Sequence, residues 1–217
     1  MHQLHRTACA APTCLSRFLH GRNTWDDLTD NDRQEICFAL EAMQGRRCAY
    51  CECSLNEHDQ HIEHFQQRGR YPRGTFDWEN LFWSCSRVGS CGKHKDVCGP
   101  YNHADLIRPD VEDPERFFLF VFDGSIAIRC GLTNAEQHRA EETLRIFNLD
   151  GQWGPLRHMR KAAVAGYVET FKELEELSTV FSTPEIMAYI NSEYAYTRNL
   201  PFCTAIKHFL TLQGITL

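Results

Sequence analysis

The sequence predicts an α+β protein, a small zinc-stapled hairpin-and-helix core set among mostly helical flanking regions. Three observations carry that reading. Between positions 48 and 98 lie six of the eleven cysteines, gathered at the two ends of an interval that holds short aromatic-rich runs. Upstream, Ile36, Ala39, Leu40 and Met43 recur at helical spacing. Downstream, PERFFLFVFDGSIAIRCG sets two β-rich runs around Asp123-Gly124, the signal of a tight hairpin.

With 217 residues and 42% hydrophobic content the chain buries one ordinary core, with room for a small satellite unit. It divides into a helical lead-in over 1–44, a metal-stapled module over 45–110, and a hairpin plus helical region over 111–217 suited to partner docking. The longest apolar runs fall short of the roughly 18 residues that mark a membrane span, and MHQLHRTACAAP lacks a signal peptide's apolar stretch. A cytoplasmic location is therefore expected, where thiols stay reduced and clustered cysteines read as metal ligands. Cys9, Cys14, Cys37, Cys130 and Cys203 are scattered and read as small buried hydrophobes. The net charge of −6 is unevenly spread: residues 45–95 hold eight Lys/Arg against six Asp/Glu, and 96–217 eleven against seventeen, so the module is locally basic and the tail acidic.

Taken in order, residues 13–20 suggest a short helix and 30–44 a longer one, with Thr29 or Asp30 as N-cap and Gly45 as stop. The runs 60–65 and 78–83 read as strands joined across a polar loop containing Gly69, Pro72 and Gly74. A short helix is expected over 92–98. Thr133, with Glu136 three positions on, forms a capping box opening a helix to about 148. Helices over 156–178, 183–197 and 202–212 complete the chain. His158 and Arg160 beside Arg157 and Lys161 suggest a basic helical face, usually just solvated.

The chemistry concentrates in the module. Cys48 and Cys51 form a C-x-x-C knuckle, and Cys85 with Cys91 returns more than thirty residues later, the layout of a four-thiolate structural zinc site. Cys53 or Cys98 could replace one ligand. Between the halves stand His61-Ile62-Glu63-His64 and Asn80, and His94 follows the last cysteine. An imidazole suits a general base at physiological pH, and a carboxylate suits a hard divalent cation. Neighbouring strand residues face opposite ways, so Glu63 and His64 would diverge unless the backbone bends or ends there.

At these residues the chain resembles the HNH (His-Me finger) endonucleases, with Glu63-His64 as first element, Asn80 as second and the segment Cys91 to Asp96 as third. More narrowly it is similar to the PtuB proteins, the HNH subunits of Septu-type anti-phage systems, also found in some retrons. The narrower likeness rests on RCAYCE at 47–52, HIEHF at 61–65, FDWENLF at 76–82, HRAEETL at 138–144 and LRHMR at 156–160. The resemblance implies a treble-clef-like ββα-metal core and a metal-dependent nuclease, with structural Zn²⁺ and catalytic Mg²⁺ or Mn²⁺. It assigns His64 as base, Glu63 as metal ligand and Asn80 as the residue that fixes a loop. Family members often carry His or Asn directly after the last cysteine; here that position is Gly92. His94 is therefore the expected second ligand, with Asp96 as runner-up. Lys95 and Arg87 are expected to contact phosphate, and His61, on the face of Glu63, to add a ligand or substrate contact. The implied partners are a PtuA-like ATPase, a DNA or RNA substrate and, in retron versions, a reverse-transcribed DNA–RNA element. A non-catalytic zinc-stapled scaffold for the ATPase or nucleic acid is the alternative.

Overall fold

Helix α1 (Asp30–Gln44) begins where the sequence places it, because Thr29 closes a capping box with Asp32, and ends where Gly45 adopts the left-handed conformation at φ 60°. The computed structural model describes residues 1–56, 58–152, 154–177 and 182–212. Ile36, Leu40 and Met43 form the buried stripe of α1, each worth roughly 1.5–3 kcal/mol of apolar burial. At its last residue the helix turns to stitching. The Gln44 side-chain amide donates to the carbonyls of Arg47 and Trp83 and accepts from the Trp83 N–H, so it pairs with strand backbone as another strand would.

Strands β1 (Gln60–His64) and β2 (Leu81–Cys85) form an antiparallel hairpin in which Glu63 faces Phe82 and His64 faces Leu81. The second strand starts later than the sequence suggests, since Trp78–Asn80 is a 3₁₀ turn capped by Asp77. Residues 13–17 are likewise a 3₁₀ turn rather than an α-helix. Helix α2 (Cys91–Val97) packs on β2, completing a ββα unit. Strands β3 (Phe118–Phe120) and β4 (Ile126–Ile128) make the second hairpin around Asp123-Gly124, and α3 (Asn134–Phe147) follows with its Thr133–Glu136 capping box.

Phe147, at the end of α3, stacks on Tyr50 of the knuckle with ring centroids 4.0 Å apart, and Phe65 and Phe82 complete the aromatic cluster. Phe117, Phe118 and Phe120 are core, whereas Phe122 is exposed. The helix expected over 156–178 is two, α4 (Pro155–Ala165) and α5 (Val168–Leu177), broken at Gly166; position 178 lies outside the described residues. Helices α6 (Thr183–Thr197) and α7 (Cys203–Leu212) close the chain. The basic face expected on α4 is partly illusory. Arg160 is 1% exposed, donates to the Gly124 carbonyl at 2.7 Å and pairs with Asp150, so it holds the second hairpin. Among the described residues no helix is long and apolar enough to cross a membrane.

Candidate active site beside a four-cysteine metal centre

Cys48 and Cys51 come from the knuckle after α1, Cys85 from the end of β2 and Cys91 from the start of α2. Their four sulfurs are buried and lie within 4.8 Å of one another. A zinc tetrahedron with bonds of about 2.3 Å spans such a cluster, so the donor set fits a structural metal. Left-handed backbone at Glu52 and Cys91 (φ 66° and 53°) turns the chain tightly enough to aim these thiols inward. Of the two alternative ligands, Cys53 is buried against Cys48, Cys51 and Cys85 as a neighbouring thiol. Cys98 is turned away, its Sγ donating to the Lys95 carbonyl.

At β1 a pocket of about 760 Å³ opens, lined by His61, Glu63, His64, Arg68, Lys93 and Asp96 among others. The His64 ring is pinned between Trp25, edge-on with centroids 4.4 Å apart, and the Thr75 carbonyl, 3.0 Å from Nε2. A carbonyl only accepts, so Nε2 carries the proton and Nδ1 keeps its lone pair. Burial pushes the imidazole down to about 4, against the raising effect of the Thr75 bond, and keeps it neutral at pH 7.

Glu63 is 3% exposed. Its Oε2 lies 3.3 Å from His61 Nε2 and its Oε1 2.5 Å from Lys95 Nζ. Burial opposes its charge, but His61 and Lys95 outweigh burial and hold the carboxyl below its ordinary range. Gly92 makes this possible. A Cβ there would stand 2.5 Å from Glu63 Oε2 and 3.0 Å from His61 Nε2, so the two side chains fill the space that a residue at 92 would claim. Asn80 is buried and locks the loop after β1: its Oδ1 accepts from the Gln66 N–H, and its Nδ2 donates to the carbonyls of Gln66 and Gly74.

Three expected contacts fall elsewhere. Successive α-helical residues turn by roughly 100°, so Lys95 and Asp96 share the face of Gly92 while His94 points the opposite way. The His94 Nδ1–H donates to the Ile146 carbonyl at 2.9 Å, satisfying a C-terminal carbonyl of α3, and His94 does not line the pocket. Lys95 is fully buried, so it offers nothing to a phosphate in the pocket. Arg87 is half-buried and also off the pocket lining. Asp96, the runner-up to His94, is exposed and lines the pocket. Trp25 and Thr75, which orient His64, carry no signal in the sequence, because they arrive from the lead-in and from a loop. Helical spacing puts Asp96 on the side of Gly92 and His94 opposite, but only the docking of Gly92 on Glu63 decides which side meets the pocket.

Fold and site together define an α+β protein built around a buried four-cysteine cluster that could hold a metal, with a largely buried imidazole–carboxylate cluster lining a pocket. The chain is similar to the Septu protein PtuB of Bacillus thuringiensis, 37% identical over 82 residues that make up 36% of this chain and 30% of that protein. The match thus spans less than a third of the relative's length. No protein-family model matches the chain.

Proposed function

We propose that this protein is a metal-dependent HNH endonuclease that hydrolyses nucleic-acid phosphodiester bonds as the effector of a Septu-like anti-phage defence complex. The observation that carries the reading is His64: a neutral ring with its tautomer set by Thr75, its Nδ1 free to accept a proton, at a pocket beside an ionised carboxylate. Such a base takes the proton of the attacking water and is typically worth about 10²–10⁴ in rate. Arg68, Arg70 and Lys93 supply positive charge around the same pocket to hold the phosphate backbone. Asn80 keeps the loop of Arg68 and Arg70 in place.

Glu63, Asp96 and His61 are the residues that would hold Mg²⁺ or Mn²⁺. The donor types suit a hard ion, two carboxylates and an imidazole, and the buried Glu63 Oε1 accepts no aligned hydrogen bond, but the three ligand atoms are not gathered as closely as the four sulfurs. Such an ion, when bound, supplies positive charge against the oxygens of the scissile phosphate. The PtuB likeness supports defence as the setting and a PtuA-like ATPase as the partner. The scaffold reading is favoured by one observation, the closed Lys95–Glu63 pair.

Incubation with plasmid DNA and total RNA in Mg²⁺ or Mn²⁺, with and without the ATPase, tests the proposal. His64→Ala is expected to retain zinc and fold and to lose cleavage. Cleavage that survives in that variant removes the base and with it this assignment.

A further inference from the structure

The ammonium of Lys95 sits where a cation belongs. Its Nζ is 2.5 Å from Glu63 Oε1, 2.8 Å from the His64 carbonyl and 3.7 Å from Asp96 Oδ1, with no solvent exposure of the side chain. Two carboxylates and a carbonyl are the all-oxygen surroundings that hard divalent ions take. The contact with Glu63 Oε1 lacks the alignment of a hydrogen bond, so charge rather than direction holds it. An ammonium and a dication compete for one buried carboxylate, because like charges a few ångströms apart repel strongly where little water screens them.

We propose that Lys95 is a resident counter-cation of Glu63 and gates the site, so that a divalent ion binds only as the ammonium leaves. The inference rests on Glu63 as the metal-binding carboxylate of the proposed nuclease. Both carboxylates beside the ammonium, Glu63 and Asp96, line the pocket, and Asp96 is half-exposed, so this is the side on which a divalent ion would meet them. Lys95 is then a positioning and gating residue: closed, it keeps Glu63 ionised and in place; open, it frees the carboxylate.

Two measurements on the zinc-loaded full chain test this. In the wild-type protein, acylation of lysines followed by mass spectrometry reads whether Lys95 is covered. It is expected to label far more slowly than the exposed Lys93 without added Mg²⁺ and to gain reactivity at saturating Mg²⁺. Free labelling without Mg²⁺, or protection that persists at saturation, overturns the gate. Mn²⁺ binding followed by electron paramagnetic resonance gives the second readout. Lys95→Met is expected to bind Mn²⁺ at least about tenfold tighter than wild type, with the gain abolished by adding Glu63→Gln. Unchanged or weaker binding in a Lys95→Met protein that keeps its zinc overturns the proposal, and if that variant does not fold the wild-type labelling still decides. Tighter Mn²⁺ binding without cleavage in any preparation removes the nuclease reading and leaves the gate; cleavage with unchanged Mn²⁺ binding does the reverse.

Discussion

His64 shows how one side chain can be both an asset for chemistry and a liability for stability. Its imidazole, held near 4 by burial against Trp25 and the hairpin, stays neutral in the folded chain, whereas in the unfolded chain it titrates near 6.5. Between those values the unfolded state binds more protons, so stability is full above pH 6.5 and is lost as pH falls toward 4, by about 3 kcal/mol from this group. Urea titrations across pH 4–7 should show that slope in the wild type and a flatter one in His64→Gln. Asn80 poses the opposite case, a buried amide that spends all of its visible bonding on backbone. Removing it in Asn80→Ala leaves buried backbone groups unpaired, at roughly 1–3 kcal/mol for each group that water cannot reach. The expected outcome is a lower denaturation midpoint together with loss of the proposed cleavage, because the amide bonds only to backbone and acts by holding the loop.

Two glycines decide how elements meet. At Gly92 the first turn of α2 comes so close to β1 that an added methyl would strike the Glu63 carboxylate. Gly92→Ala should therefore leave the four cysteine sulfurs able to hold zinc, while weakening the proposed Mn²⁺ binding at the pocket. Gly124, at φ +88° in the second hairpin, sits against α4, where an added Cβ would stand 2.1 Å from the Arg157 carbonyl oxygen. Gly124→Ala adds left-handed strain to that collision and loosens the Arg160 bond to the Gly124 carbonyl. A loss of more than about 2 kcal/mol in a denaturant titration is the expected result.

Across the whole molecule, the four-cysteine cluster is also where distant parts of the chain are joined. Arg47 and Glu52 flank the knuckle cysteines. Arg47 donates to the carbonyls of Arg198 and Leu200, while Glu52 accepts from the Thr204 N–H at the start of α7 and lies 2.6 Å from the Met1 nitrogen. Burial opposes the Glu52 charge, but these cationic and amide partners hold its carboxyl far below the ordinary range. A zinc ion closing the knuckle would thus fix the seat of α7 as well as the hairpin. Chelation, or Cys91→Ser, is expected to remove one zinc per chain, and hydrogen exchange should then rise in α7 together with β1 and β2. Cys98→Ser should leave zinc content unchanged. An α7 that stays protected after zinc is lost would separate the two.

Local rules were enough for α1 and α3, whose capping boxes and C-terminal residues are written in consecutive positions, and for the hairpin at Asp123-Gly124. The four sulfurs were equally legible, because a C-x-x-C pair answered by a distant second pair is the spacing of a four-thiolate metal site. Spacing also brought Glu63, His64 and Asn80 to one hairpin. What the sequence could not say was which way α2 faces: the helix docks by Gly92 on Glu63, and that choice turns His94 toward Ile146, buries Lys95 and leaves Asp96 on the rim. Nor could it reveal that Trp25 and Thr75 set the His64 tautomer or that Arg160 serves the core. Those outcomes depend on which surfaces pack together, and packing is fixed by contacts between residues far apart in the chain, where periodicity and motif spacing carry no information.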